Sequence, residues 1–216
     1  MKNKVLKTLR ESRIMVVTRG LTDEQLIPYC RALIAGGIRM VELPFDQLAA
    51  DKLEKTPRQI KLIRDTFGDA LLVGAGTVLS VEEVDAAADA GACYVLAPSF
   101  DKNVVRRANE RGICAFPGVM TPTEAQDAHL AGADMVKIFP TGILGVEYLK
   151  VLRVPLPHIG MIAMGGVTAD NLVQFLQHCE AVGVGGGICD LKAIQAGNYA
   201  LITEKAKAYT DQVTPC

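Results

Sequence analysis

Lys137 lies in the apolar run Met135-Val136-Lys137-Ile138-Phe139-Pro140, and an ammonium there must either reach water along its own stem or do chemistry. Low dielectric disfavours the charged form, so the amine loses its proton more readily and becomes a nucleophile for a carbonyl carbon. Glu42, in Met40-Val41-Glu42-Leu43-Pro44, is pushed the other way by the same surroundings. It is either a proton shuttle or an acid on an edge turn. Arg19 follows the run Ile14-Met15-Val16-Val17-Thr18 and is suited to grip a carboxylate with its guanidinium fork, unless it is simply a solvated loop residue. Thr77 either caps the segment after Gly74-Ala75-Gly76 or offers its hydroxyl to an anionic substrate head, while Phe139 reads as wall packing. Gly165 and Gly166, then Gly185, Gly186 and Gly187, close two later apolar runs. Bare backbone N–H groups in such loops can cradle a phosphate, although a glycine pair alone can equally make a tight turn.

These groups are far apart in sequence, so the elements that carry them must bring them together. Short apolar runs at 14–18, 39–43, 71–75, 93–97, 113–116, 134–138, 159–164 and 181–184 predict eight strands. Helices are predicted between them, with capping boxes at Thr22 and Gln25, Ser80 and Glu83, and Thr121 and Glu124. Glycines in Gly36-Gly37, Gly91, Gly112 and Gly132 mark helix ends. Strands buried on both faces and joined by helices imply a parallel sheet. Eight such units in this length fit a (β/α)8 barrel, the TIM-barrel architecture, with residues 4–10 as an N-terminal extra helix plugging one end. An open flavodoxin-like sheet is the alternative. In the barrel the strand ends that carry Arg19, Glu42, Thr77, Lys137 and the glycine loops would all face one mouth.

The chain has 216 residues, 50% of them hydrophobic, and is expected to form a single domain over 1–216. A formal net charge of -1 gives no basic surface for nucleic acid, leaving small neutral or anionic metabolites as partners. The N-terminal stretch Met1-Lys2-Asn3-Lys4-Val5-Leu6-Lys7 lacks the apolar core of a signal peptide, and no apolar stretch approaches the roughly 18 residues of a membrane span. No membrane association and a cytoplasmic location are therefore expected. Cys30, Cys93, Cys114, Cys179, Cys189 and Cys216 are scattered without Cys-x-x-Cys spacing, so they read as reduced core fillers rather than disulfides or zinc ligands.

A buried lysine, a carboxylate, an anion-holding arginine and threonine, and a distal phosphate cradle together describe Schiff-base chemistry on a phosphorylated 2-oxo acid. The motifs Val41-Glu42-Leu43-Pro44, Gly74-Ala75-Gly76-Thr77-Val78-Leu79, Phe116-Pro117-Gly118-Val119, Val136-Lys137-Ile138-Phe139-Pro140 and Met164-Gly165-Gly166-Val167-Thr168 carry a wider likeness. Through them the chain resembles the 2-keto-3-deoxy-6-phosphogluconate (KDPG) aldolase family, which includes 2-dehydro-3-deoxy-6-phosphogalactonate (KDPGal) and 4-hydroxy-2-oxoglutarate (KHG) aldolases. The resemblance implies a class I aldolase needing no metal or other cofactor, usually a homotrimer. Lys137 then matches the Schiff-base lysine, Glu42 the general acid/base, Thr77 a substrate-carboxylate contact, and Gly165 with Gly166 part of the phosphate loop. Two positions depart from the pattern. The family arginine four residues after the glutamate is Asp46 here, which leaves the carboxylate to Arg19, and a serine common in the last phosphate loop is Gly186. Two other classes share some of these features. A phosphate-barrel isomerase or epimerase would use an acid/base pair or metal ligands in place of the central lysine, and a sugar-acid sensor would bind without turnover.

Overall fold

Strands buried on both faces can satisfy their backbone groups only by pairing with one another, and the apolar runs do so in parallel throughout. The structure, a computed structural model, describes residues 1–213. In chain order the elements are α1 (Lys2–Ser12), β1 (Ile14–Val17), α2 (Asp23–Ala35), β2 (Met40–Pro44), α3 (Lys52–Phe67), β3 (Leu72–Gly76) and α4 (Val81–Asp89). They continue with β4 (Tyr94–Leu96), α5 (Lys102–Glu110), β5 (Cys114–Phe116), β6 (Gly118–Val119), α6 (Pro122–Leu130), β7 (Val136–Ile138) and α7 (Thr141–Arg153). The chain then forms β8 (Met161–Met164), α8 (Leu172–Leu176), β9 (Ala181–Val184), α9 (Leu191–Gln195) and α10 (Tyr199–Thr210).

The sheet runs β5-β4-β3-β2-β1-β9-β8-β7-β6. Its two ends are one stretch of chain, divided at Pro117, which has no N–H to give the ladder. The Pro117 carbonyl accepts from Lys137 N at 2.8 Å and the Ala115 carbonyl from Asp134 N at 3.1 Å, so pairing continues across the division. The sheet is thus a nearly closed barrel with helices around it, a (β/α)8 TIM barrel in which β5 and β6 together make the fifth wall. The expected fifth strand stopped at Phe116, and the short continuation over Gly118–Val119 is an addition to that reading.

Alternation along each strand sorts the apolar side chains into two layers. Ile14, Val16, Val41, Val73 and Val182 point outward to the helices. Met15, Met40, Leu72, Tyr94, Phe116, Met135 and Ala181 point into the barrel, where they meet Val5 and Leu9 of α1, both fully buried. The extra N-terminal helix is therefore a plug. Lys2 at its start pairs with Asp134 at 2.8 Å, and the same carboxylate oxygen accepts from Ala115 N at 2.9 Å.

Thr121 and Glu124 form the predicted capping box, and Gln25 reaches back to the Thr22 N–H at 3.0 Å. The third box is only half present. Ser80 accepts from Glu83 N at 3.3 Å, but the Glu83 carboxylate turns elsewhere. Cys30, Cys93, Cys114 and Cys179 are buried free thiols, Cys189 is half-buried, and Cys216 lies outside the described residues. No helix among the described residues is long and apolar enough to cross a membrane.

Candidate active site

The period of two that fills the barrel floor also builds its mouth. Two residues beyond Met40, β2 presents Glu42, and two beyond Met135, β7 presents Lys137. With β1, β9 and β8 between them in the sheet, β2 and β7 are opposite walls of the barrel. Both side chains face a cavity of about 570 Å³, a volume suited to a small metabolite.

Lys137 is 6% exposed and Glu42 2%. Burial pulls the Lys137 amine below its usual range; the Glu42 carboxylate opposes this and the Arg19 guanidinium adds to it. Burial likewise pushes the Glu42 carboxyl up, against the pull of Lys137 and then Arg19. One Glu42 oxygen, Oε2, is buried without a hydrogen-bond partner. A carboxyl that lines the cavity and keeps an oxygen free of protein donors is positioned to take or give a proton to whatever enters. The Phe139 ring lies 4.9 Å from the Lys137 nitrogen and forms the wall beside it. An apolar wall of this kind keeps water from the amine.

Two glycines make room for these groups. A Cβ on Gly76 would stand 2.2 Å from Glu42 Oε2, so the β3 glycine is the space the carboxylate occupies. Gly165 lies at φ +86°, where an added Cβ would also stand 2.9 Å from the Phe139 ring.

Of the residues nominated from sequence, Arg19, Glu42, Lys137, Phe139, Gly165, Gly166, Gly185 and Gly186 line the cavity. Thr77 does not. It sits one step behind, where its hydroxyl accepts from Arg19 Nη2 at 3.2 Å. Gly187, the last of the second glycine cluster, lines it too, as do Val17, Met164, Val167, Gly183, Cys189 and Leu191, which were not nominated. Val17 and Gly183 continue the inward series from Met15 and Ala181, so the period of two contained the signal that would have found them. Among the described residues no three His, Cys, Asp or Glu side chains converge on a metal-sized site.

A family model for KDPG and KHG aldolases matches residues 5–205. This chain belongs to that family. The protein is accordingly an aldolase, a carbon–carbon lyase. It is 37% identical over 177 residues to the 2-dehydro-3-deoxy-6-phosphogalactonate aldolase of Escherichia coli (strain K12), covering 81% of this chain and 83% of that one. It is 33% identical over 201 residues to the 2-dehydro-3-deoxy-phosphogluconate aldolase of Treponema pallidum, covering 92% of both. The fold superposes with a TM-score of 0.83 on the KDPG aldolase of Legionella pneumophila, at 26% identity over 94% of this chain and 96% of that one. In that aldolase pyruvate was captured as a covalent carbinolamine intermediate.

Proposed function

We propose that this aldolase works through a Schiff base on Lys137 and cleaves a 2-keto-3-deoxy-6-phospho sugar acid to pyruvate and glyceraldehyde 3-phosphate. The observation that carries the reading is the pair of buried, oppositely shifted groups, Lys137 and Glu42, facing one cavity from opposite walls. Neutral Lys137 attacks the C2 ketone, and Glu42 supplies the protons by which the carbinolamine loses water to give a protonated imine. That cation is an electron sink. With Glu42, directly or through water, taking the proton of the C4 hydroxyl, the C3–C4 bond breaks and its electrons pass to the imine as an enamine, while C4 leaves as the aldehyde. Protonation at C3 and hydrolysis release pyruvate and restore the amine.

Arg19 receives the substrate carboxylate in place of the arginine that Asp46 replaces, with Thr77 behind it. Gly165, Gly166, Gly185 and Gly186 offer backbone N–H groups to the distal phosphate and so fix the reacting carbons relative to Lys137. A Cβ on Gly186 would meet nothing within 4 Å, so packing does not demand glycine there and the space is open to a ligand. The 37% identity to a 2-dehydro-3-deoxy-6-phosphogalactonate aldolase, against 33% to a 2-dehydro-3-deoxy-phosphogluconate aldolase, favours KDPGal over KDPG as the substrate. Cleavage of 4-hydroxy-2-oxoglutarate to pyruvate and glyoxylate is a second reading, favoured by the missing hydroxyl at Gly186. Under the same reading the enzyme is a cytoplasmic homotrimer, and sedimentation of any other assembly would remove the trimer.

Borohydride reduction in the presence of pyruvate tests the chemistry. Wild type should gain a reduced pyruvyl adduct on Lys137, and Lys137→Ala should gain none while losing on the order of 10⁴-fold or more in kcat. Trapping on another lysine would refute the assignment. Pyruvate release from KDPG, KDPGal and 4-hydroxy-2-oxoglutarate, measured side by side, ranks the substrates.

A further inference from the structure

In Ser80-Val81-Glu82-Glu83 the glutamate at the third helical position is placed to return to the Ser80 N–H, as Glu124 returns to Thr121. It goes elsewhere. One carboxylate oxygen accepts from Leu79 N at 2.5 Å, and the other from Gln47 Nε2 at 2.9 Å and Lys52 Nζ at 2.7 Å. Glu83 is 1% exposed, and a buried carboxylate persists in such a place only when its lone pairs are met. Gln47 closes the network: its Oε1 accepts from Lys52 Nζ at 2.6 Å, and its amide nitrogen donates again to the Thr77 carbonyl at 2.8 Å.

Thr77 is where this network reaches the cavity. Its φ is +54°, a left-handed conformation that a β-branched residue adopts only when its surroundings impose it. The Gln47 amide is the side chain that grips its carbonyl, while the hydroxyl on its other side accepts from Arg19. Arg19 is otherwise exposed, and among the described residues Thr77 is the hydrogen-bond partner of its guanidinium. Asp46 does not compete for that cation, since its carboxylate accepts from Leu48 N at 3.1 Å.

We propose that Gln47 is a positioning residue for the anion-binding side of the site: clamped by Glu83 and Lys52, it holds the left-handed Thr77 turn and through it the Arg19 guanidinium over the cavity. The proposal rests on the reading that Arg19 receives the substrate carboxylate. A long side chain on an exposed loop end loses rotamer freedom when it binds, and holding it beforehand lowers that cost. Gln47 touches no substrate, so its effect falls on the concentration of pyruvate needed and not on the chemical step.

The test is borohydride trapping of pyruvate on the full chain, read by intact mass over a range of pyruvate concentrations. Gln47→Ala should raise the half-saturating pyruvate concentration about tenfold and leave the saturating trapping rate within about twofold. Lys52 and Leu79 N still meet the Glu83 carboxylate when the Gln47 amide is removed, so the variant should stay folded with its melting temperature lowered by no more than a few degrees. Thr77→Gly removes the hydroxyl and accepts φ +54° without strain, so Gln47→Ala in that background should add less than about twofold. A full tenfold effect persisting there, or a fall in saturating rate at unchanged half-saturation, overturns the positioning role. Arg19→Ala separates the two levels of the argument. If it leaves half-saturation unchanged, the carboxylate reading falls and takes this proposal with it; if it raises half-saturation while Gln47→Ala does not, only the positioning role falls.

Discussion

At the closed end of the barrel, Met15, Met40 and Met135 meet Val5 and Leu9 in an apolar layer. Two residues along the same β2 and β7 chains, at the open end, stand Glu42 with an unpartnered oxygen and Lys137 with a weakened hold on its proton. One alternation produces both ends, so what separates them is side-chain chemistry alone. The floor gains stability from buried apolar area, and the mouth holds groups that burial disfavours in their charged forms. The first region offsets the second, a common division between scaffold and reactive site.

This contrast predicts that damage at the two ends will be felt in different quantities. Leu9→Ala removes a fully buried side chain from the plug and should cost roughly 2–5 kcal/mol in chemical denaturation, with kcat unchanged below the transition. A folded Leu9→Ala with impaired turnover would show that the ends are coupled. Gly76→Ala should do the reverse. Its Cβ would stand 2.2 Å from Glu42 Oε2 and displace the carboxylate, so kcat should drop on the order of 100-fold while the protein stays folded. Turnover within about threefold of wild type would mean that this glycine does not place the acid.

The smallest effect is a gain. Lys137→Met removes an amine that burial disfavours as a cation, and should stabilise the protein by roughly 1 kcal/mol at neutral pH. The folded-state pKa of Lys137 lies below 10.5, so the unfolded chain binds this proton more tightly and wild type gains stability as pH rises through that window. The advantage of the methionine variant is therefore full below the folded-state pKa and fades toward pH 10.5. Denaturation midpoints across pH check this, and an advantage that widens at high pH would contradict it.

The strands were legible because each is an apolar run too short for a helix, and Glu42 and Lys137 were legible because a charge in such a run is conspicuous. Less legible were features set by what lies across the barrel. Gly74 reads locally as an ordinary small residue, yet a Cβ there would stand 2.2 Å from the Tyr94 ring. The Ser80 and Glu83 spacing matched a capping box, and the local pattern gave no sign that Gln47 and Lys52, from the preceding βα loop and helix, would claim the carboxylate. Thr77 was nominated for the right neighbourhood, but its separation from the cavity by Arg19 depends on a backbone turn that periodicity does not encode.

Pro117 divides the fifth wall immediately beside the strand that bears Lys137, where Gly118 is in register with the lysine. The lysine's own peptide N–H is held by the Pro117 carbonyl, so Lys137 hangs beside a residue that has no N–H of its own to give the ladder. On its far side the lysine is in register with Ile162 in an unbroken strand. The strand is thus pinned on both edges at the lysine itself, which fixes the root from which that side chain reaches the cavity.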